Sequence, residues 1–212
     1  VTGAGRGIGR EASLMIAKEG CRVVLVSRSE DEIKETEKAI KEAGGEACDV
    51  AGDVAKKKDI ERILRLTLEK YSSLDILVNN AGVHYASPFL ETTEEELDMN
   101  MAVNFKAAFL FSQAALKIMK EQRQGYIINI SSSAALGVPA RASAYGISKL
   151  AVRGLSQALG EAAKEYGVKV STIYPGMTDT KMLRDINLPV DPKTWMQPED
   201  IANCILFLLK QS

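Results

Sequence analysis

Tyr145 and Lys149 stand four residues apart in Ser143–Tyr166, whose apolar spacing predicts a helix, so both side chains project from one face. A phenol with its ordinary pKa of about 10 is a poor proton donor or acceptor near neutrality. A nearby ammonium favours the phenolate and is expected to lower that pKa, which makes the pair an acid–base device acting on an oxygen. Three serines, Ser131, Ser132 and Ser133, follow the strand-like run Tyr126–Ile130. The carboxyl end of a strand is where open α/β sheets bind ligands, and a hydroxyl there can donate to a carbonyl oxygen and orient it. The residues alone leave Ser131 and Ser132 both open. Other chemistries lack parts. His84 is the only histidine, so a multi-histidine zinc site is excluded, and no serine has the Gly-x-Ser-x-Gly setting of a hydrolase nucleophile. His84 and Tyr85 could face a substrate cleft, but a lone loop histidine is more often structural, and His84 is left out of the catalytic set.

A second group of residues suits a different task. Thr2-Gly3-Ala4-Gly5-Arg6-Gly7-Ile8-Gly9 opens a predicted helix, Gly7–Glu19. Glycines let the backbone turn tightly and approach a pyrophosphate, and the helix start offers N–H groups and a positive dipole end to the anion. The turn begins a βαβ unit ending near Val50, the setting of a dinucleotide fingerprint. Enzymes that select NAD place a carboxylate about 20 residues beyond the glycines, against the adenosine ribose hydroxyls. Here the strand Arg22–Ser27 ends in Ser27-Arg28-Ser29, with no carboxylate before Glu30. Arg28 can pair with a 2′-phosphate through its planar guanidinium, and Arg6 can approach the same group from the turn. The expected cofactor is NADP(H).

The elements that must position these residues alternate along the chain. Strands are predicted at Arg22–Ser27, Glu46–Val50, Ile76–Asn79, Tyr126–Ile130 and Lys169–Ile173. Their nearly unbroken apolar character suits strands buried on both faces of a parallel sheet. Helices are predicted at Gly7–Glu19, Ser29–Ala43, Lys56–Tyr71, Thr93–Gln122 and Ser143–Tyr166, with a last one opened by Pro198. Ser29 with Glu32, and Thr93 with Glu96, fit capping boxes, while Gly20 and Gly44 stand where helices should stop. The fold class is α/β: a single, doubly wound Rossmann-type parallel sheet with helices on both faces. Residues 1–212 read as one dinucleotide-binding and catalytic domain. It looks truncated at both ends, because the glycine turn should follow a central strand that here has little beyond Val1.

These motifs together resemble the short-chain dehydrogenase/reductase family, and the resemblance covers essentially the whole chain. Thr2, Gly3, Gly7 and Gly9 match its Thr-Gly-x-x-x-Gly-x-Gly. Asn79-Asn80-Ala81-Gly82 resembles its Asn-Asn-Ala-Gly, and Asn104 falls at its helical asparagine. Tyr145 and Lys149 match its Tyr-x-x-x-Lys. The commoner family spacing puts the catalytic serine thirteen residues before the tyrosine, which selects Ser132, with Ser131 second. Pro175-Gly176 and Thr180 match the segment after the sixth family strand. The resemblance implies a hydride-transferring oxidoreductase with Asn104, Ser132, Tyr145 and Lys149 as catalytic residues. Lys149 would also bind the nicotinamide ribose, and Asn104 would hold a water linking Lys149 to solvent. Cofactor contacts would come from Gly3, Arg6, Gly7, Ile8, Gly9, Arg28, Asp53, Val54, Asn80, Ala81, Gly82, Tyr145, Lys149, Pro175, Gly176, Thr178 and Thr180. Asp53 has two readings, a reader of the adenine amino group or a helix cap before Lys56.

The segment Lys181–Gln197 is the expected substrate lid, with Met182, Leu183, Ile186, Leu188, Trp195 and Met196 suggesting an apolar or extended substrate and Pro189, Pro192 and Pro198 stiffening it. The pattern resembles 3-oxoacyl-(acyl-carrier-protein) reductases and NADPH-dependent carbonyl reductases, so the substrate is expected to be a ketone or an acyl thioester. An NAD-linked alcohol dehydrogenase and a non-catalytic nucleotide-binding regulator are the alternatives. Formal net charge of -1, from 27 basic and 28 acidic residues, gives no general pull toward nucleic acid or an anionic membrane. Runs such as Ile201–Leu209 are too short to span a bilayer. The three cysteines, Cys21, Cys48 and Cys204, are scattered and read as buried free thiols of a reducing cytoplasm, not metal ligands. Apolar residues over more than one helix face, including Phe109, Phe111, Leu155 and Leu159, predict a homo-oligomer, a dimer or tetramer.

Overall fold

The computed structural model describes residues 1–186 and 190–211. In chain order the principal elements are α1 (Gly7–Lys18), β1 (Arg22–Ser27), α2 (Glu30–Glu42), β2 (Glu46–Ala51), α3 (Lys57–Tyr71), β3 (Ile76–Asn79), α4 (Glu94–Asn100), α5 (Ala107–Gln122), β4 (Gly125–Ile130), α6 (Ser143–Ala163), β5 (Val168–Ile173), α7 (Lys181–Arg184) and α8 (Pro198–Lys210). They form two compact units, Val1–Asp53 with Gly176–Ser212, and Val54–Pro175. Each is an α/β unit of parallel strands flanked by helices.

In the first unit β1 and β2 pair in parallel, from Arg22 opposite Glu46 to Ser27 opposite Ala51. Val23, Leu25 and Val26 are buried, as an unbroken apolar strand requires. Val1 and Thr2 also pair with β1: the Val26 N–H donates to the Val1 carbonyl at 3.0 Å, and Thr2 forms a parallel bridge with Val26. α1 packs against α8, and Lys210 reaches Glu19 at 2.8 Å. Pro198 takes the first turn of α8, where a missing N–H costs nothing.

In the second unit the strand order is β3-β4-β5, all parallel. The residues Tyr126–Ile130 of β4 are buried throughout. A buried polar chain runs across this sheet. Asn79 Nδ2 donates to Ser112 Oγ at 2.9 Å and to Asn129 Oδ1 at 2.8 Å. Asn129 Nδ2 donates to Ser156 Oγ at 2.9 Å, which ties β4 to α6.

The doubly wound α/β class, parallel strands flanked by helices, is the one present, with β1-β2 paired in the first unit and β3-β4-β5 in the second. Three expectations need correction. The long helix Thr93–Gln122 is interrupted by a π-helical turn, Met101–Lys106, between α4 and α5. The capping box at Thr93 is present, with Glu96 N–H to Thr93 Oγ1 at 3.2 Å and Thr93 N–H to Glu96 Oε2 at 3.1 Å. The one at Ser29 is not: Ser29 makes no side-chain cap, since Glu32 turns instead to Arg6 at 3.0 Å. Finally, the cysteines are free but not buried. Cys204 is exposed and the other two are partly so.

Candidate active site

The carboxyl end of β4 and the first turns of α6 assemble the catalytic candidates. Lys149 is 5% exposed, and its ammonium donates to the carbonyl of Ile130, the last residue of β4, at 3.0 Å. Ser131 Oγ donates back to the Lys149 carbonyl at 2.8 Å. These two bonds fix the helix to the strand end. They also separate the serines by task. Ser131 is spent on the backbone of α6, whereas Ser132 accepts from the Ala134 N–H at 3.2 Å and its hydroxyl is near enough to the Tyr145 phenol to favour the ionised form.

Tyr145 titrates against the sequence expectation. Burial of the phenol raises its pKa above the usual value, and the nearby Ser132 hydroxyl draws it back. Lys149 does not lead this balance, because its Nζ lies 5.9 Å from the Tyr145 ring centroid and is turned to Ile130. Burial acts on the lysine too, bringing its pKa down to about 8. The protein alone therefore holds a neutral phenol at neutral pH beside a cation whose proton is easily lost.

Asn104 sits on the π-helical turn and is 2% exposed. Its Oδ1 accepts from the Val83 N–H at 2.8 Å, and its Nδ2 donates to the Val83 carbonyl at 3.0 Å, to Ser148 Oγ at 2.9 Å and to Asn100 Oδ1 at 3.3 Å. Ser148 donates on to the Tyr145 carbonyl at 2.6 Å. The asparagine side chain is thus committed to clamping the Val83 backbone and steadying α6. A π turn within an α-helix is a frequent mark of a functional position. Gly82, next to the clamp, leaves little room for a side chain: a Cβ would lie 3.2 Å from Asn104 Oδ1, a tight contact, and 3.5 Å from Lys149 Nζ. Asn80 and Ala81 precede it directly after β3, partly exposed.

Two participants escaped the sequence reading. The His84 ring lies 4.3 Å from the Tyr145 ring, centroid to centroid, at a 44° tilt. Its position just after the Asn-Asn-Ala-Gly turn was the available signal. Ser148 gave no signal, being one more polar residue in a helix.

The glycine turn belongs to the first unit. Gly3 and Gly7 take φ of 67° and 53°, which side chains rarely adopt. A Cβ on Gly7 would also meet Thr180 Cγ2 at 3.0 Å. Ile8 and Gly9 lie in the first turn of α1, whose N–H groups lack intrahelical acceptors. This cradle and helix start fit a pyrophosphate. Arg6 is the N-cap residue of α1 and points to Glu32; Arg28 is exposed. Thr180 caps α7, accepting from the Leu183 N–H at 3.4 Å, and Thr178 Oγ1 donates to the Gly176 carbonyl at 3.1 Å.

Asp53 directly follows the first unit's second strand and its Gly52, and α3 begins at Lys57. The N-cap position of that helix is held by Lys56, whose own side chain makes no cap bond. Val54, next to Asp53, is buried. In the second unit the Pro175 carbonyl accepts from the Ser133 N–H at 2.9 Å. The lid also differs from expectation. Trp195 is buried, with an indole N–H that has no hydrogen-bond partner, so it anchors the segment and does not offer a face to substrate. Met182 and Met196 are exposed. Pro192 opens a short 3₁₀ turn, Pro192–Thr194. Leu188 and Pro189 lie outside the described residues. Among the described residues no cluster of His, Cys, Asp or Glu could hold a metal ion, and no helix is long and apolar enough to cross a membrane.

The family model for short chain dehydrogenase matches residues 1–191. The chain belongs to the short-chain dehydrogenase family. An uncharacterized oxidoreductase of Thermotoga maritima is 40% identical over 98% of this chain and 87% of its own length. Among solved structures, a metagenomic short-chain oxidoreductase in complex with NADP is 33% identical with a TM-score of 0.87, covering 100% of this chain and 89% of that one. An actinorhodin polyketide ketoreductase variant with NADPH is 30% identical with a TM-score of 0.93, covering 99% and 88%. The short-chain dehydrogenase described here is accordingly an oxidoreductase acting on a small molecule.

Proposed function

We propose that this short-chain dehydrogenase is an NADP(H)-dependent ketone reductase in which Tyr145 supplies the proton to the oxygen being reduced. The observation that carries the reading is the buried, neutral Tyr145 phenol, with the Ser132 hydroxyl close by and the Lys149 ammonium 5.9 Å from its ring. Burial keeps the phenol protonated, which is the state a general acid needs. Ser132 orients the carbonyl oxygen, and Lys149 compensates the charge left on Tyr145 once its proton has gone. Asn104 holds the backbone that carries these groups. When bound, the nicotinamide supplies the hydride. Lys149 and Tyr145 would hold its ribose. Gly3, Gly7, Ile8 and Gly9 would receive the pyrophosphate, Arg28 and Arg6 the 2′-phosphate, and Asp53 and Val54 the adenine. Asn80, Ala81 and Gly82 would back the adenosine ribose, and Pro175, Gly176, Thr178 and Thr180 the nicotinamide amide and phosphates.

The likeness to a polyketide ketoreductase and the exposed Met182 and Met196 support a ketone on an extended, apolar chain, a 3-oxoacyl thioester included. NADH has one observation on its side: Glu32 holds Arg6 and places a carboxylate near the turn. The oligomer reading is narrower than the sequence suggested. Phe111, Leu155 and Leu159 are core, while Phe109 on α5 and Ile147 and Leu150 on α6 are exposed and are the residues left to form a two-fold interface.

The test is a panel of carbonyl compounds, with a diketone and an acetoacetyl thioester, assayed with NADPH and NADH. Wild type should favour NADPH by more than about tenfold in kcat/KM. Tyr145→Phe should leave NADPH binding nearly intact, because Lys149 still holds the ribose, and turn over at least about 100-fold more slowly. Near wild-type turnover in that variant would end the proposal.

A further inference from the structure

His84 is held in place from both sides. Asn104 clamps the Val83 backbone by its N–H and its carbonyl. Asn100, from α4, donates to the Tyr85 carbonyl at 2.8 Å. The residue between these clamps has little freedom in its backbone, and its imidazole packs on the phenol of Tyr145 at 4.3 Å. That is just below the roughly 4.5–7 Å at which aromatic ring pairs usually pack, so the two rings are in direct contact. Tyr145 must keep its hydroxyl near Ser132, and a tyrosine ring that can swing would lose that alignment.

We propose that His84 is a positioning residue: its neutral imidazole, packed on the ring of Tyr145, holds the phenol toward Ser132. This rests on the reading of Tyr145 as the general acid. The charged group that acts on His84 is Lys149, from α6; the groups of α4 and the π-helical turn that pin its loop, Asn100 and Asn104, are uncharged. Partial burial and the Lys149 charge both push the imidazole pKa below the usual histidine value, with burial the larger cause and a bond to its own backbone opposing them. The imidazole is therefore neutral in the physiological range. In acid it becomes a second cation beside Lys149, and the packing on Tyr145 loosens.

The chain has one histidine, so its ring resonances report His84 without assignment. An NMR titration of the enzyme without cofactor should place His84 below about 6.5. Lys149→Met should move it upward by removing the cation. This readout needs no substrate and stands even if the proposed reaction is wrong. With NADPH and a diketone, His84→Ala should lower kcat about tenfold, the scale of a modest misalignment, with KM for NADPH unchanged. His84→Phe keeps a ring against Tyr145 and should recover most of kcat at pH 7. Wild-type kcat should fall in acid as His84 protonates, and His84→Phe should lack that fall. The inference is overturned if His84→Phe is as slow as His84→Ala, if it keeps the acid limb, or if His84 titrates normally and ignores Lys149→Met. An active Tyr145→Phe would instead remove the reading beneath it.

Discussion

Lys149 and Arg6 are both cations next to a proposed cofactor group, yet they live under different electrostatics. Lys149 is 5% exposed and held by a backbone carbonyl within a close-set group of polar residues that includes Ser131, Ser132 and Tyr145. The Arg6 side chain is 56% exposed and its partner Glu32 is 33% exposed. Water and salt screen the second pair and hardly touch the first. The difference teaches where this enzyme is brittle. The proposed chemistry sits where each polar group depends on the next, so single changes should be costly. The proposed cofactor choice sits where charges are solvated, so single changes should be graded and salt-dependent.

The largest test of that contrast beyond Tyr145 is the stability of the cofactor-free protein against pH. Lys149 has a folded pKa of about 8 against an ordinary 10.5. Below both values the fold carries the whole cost of a buried cation. Between them the unfolded chain binds more protons, so stability rises with pH, and above 10.5 the cost is gone. Lys149→Met should therefore be more stable than wild type at pH 7, by up to about 3 kcal/mol, and the gap should close as pH rises toward 10.5. Urea unfolding of both proteins from pH 7 to 10.5 measures it. A gap independent of pH would mean that the lysine is not paying for burial.

Gly82→Ala probes the same region by volume. The added methyl would press on Asn104 Oδ1 and come into ordinary contact with Lys149 Nζ. Asn104 is held by Val83, Ser148 and Asn100 and cannot yield without breaking a bond. Overpacking at such a site costs about 1–2 kcal/mol, which thermal unfolding would register, and turnover should fall with it. An alanine variant of normal stability and rate would show the network to be softer than its geometry.

At the exposed end, Glu32→Gln should free Arg6 and remove a charge that repels the 2′-phosphate. The expected gain is at most about fivefold in affinity for 2′,5′-ADP, the scale of an exposed ion pair, and it should shrink in high salt. Arg28→Ala should move affinity the other way by a similar or larger factor. Calorimetry at two salt concentrations separates these outcomes. A large, salt-independent effect at Glu32 would erase the contrast between the two regions.

The strands, most helices and the spacing of Tyr145, Lys149 and the glycine turn were legible in the chain itself. Apolar runs, glycine stops and the Thr93 cap are local, and local physics decides them. Between Ser131 and Ser132 spacing gave a preference, but only the fold separates the hydroxyls, tying Ser131 to the Lys149 carbonyl and leaving Ser132 near the Tyr145 phenol. The π-helical turn at Asn104 was invisible, because a change of backbone register leaves no mark in helical periodicity. The upward shift of Tyr145 was read with the wrong sign, since a nearby ammonium can be counted from sequence and burial cannot. His84 went unassigned for the same reason. Its residue type was plain, but the ring it packs against lies 61 positions away and was brought to it by tertiary structure. Sequence determined which groups the protein has and which are neighbours along an element; desolvation and through-space pairing, which set what those groups do, came only with the packed fold.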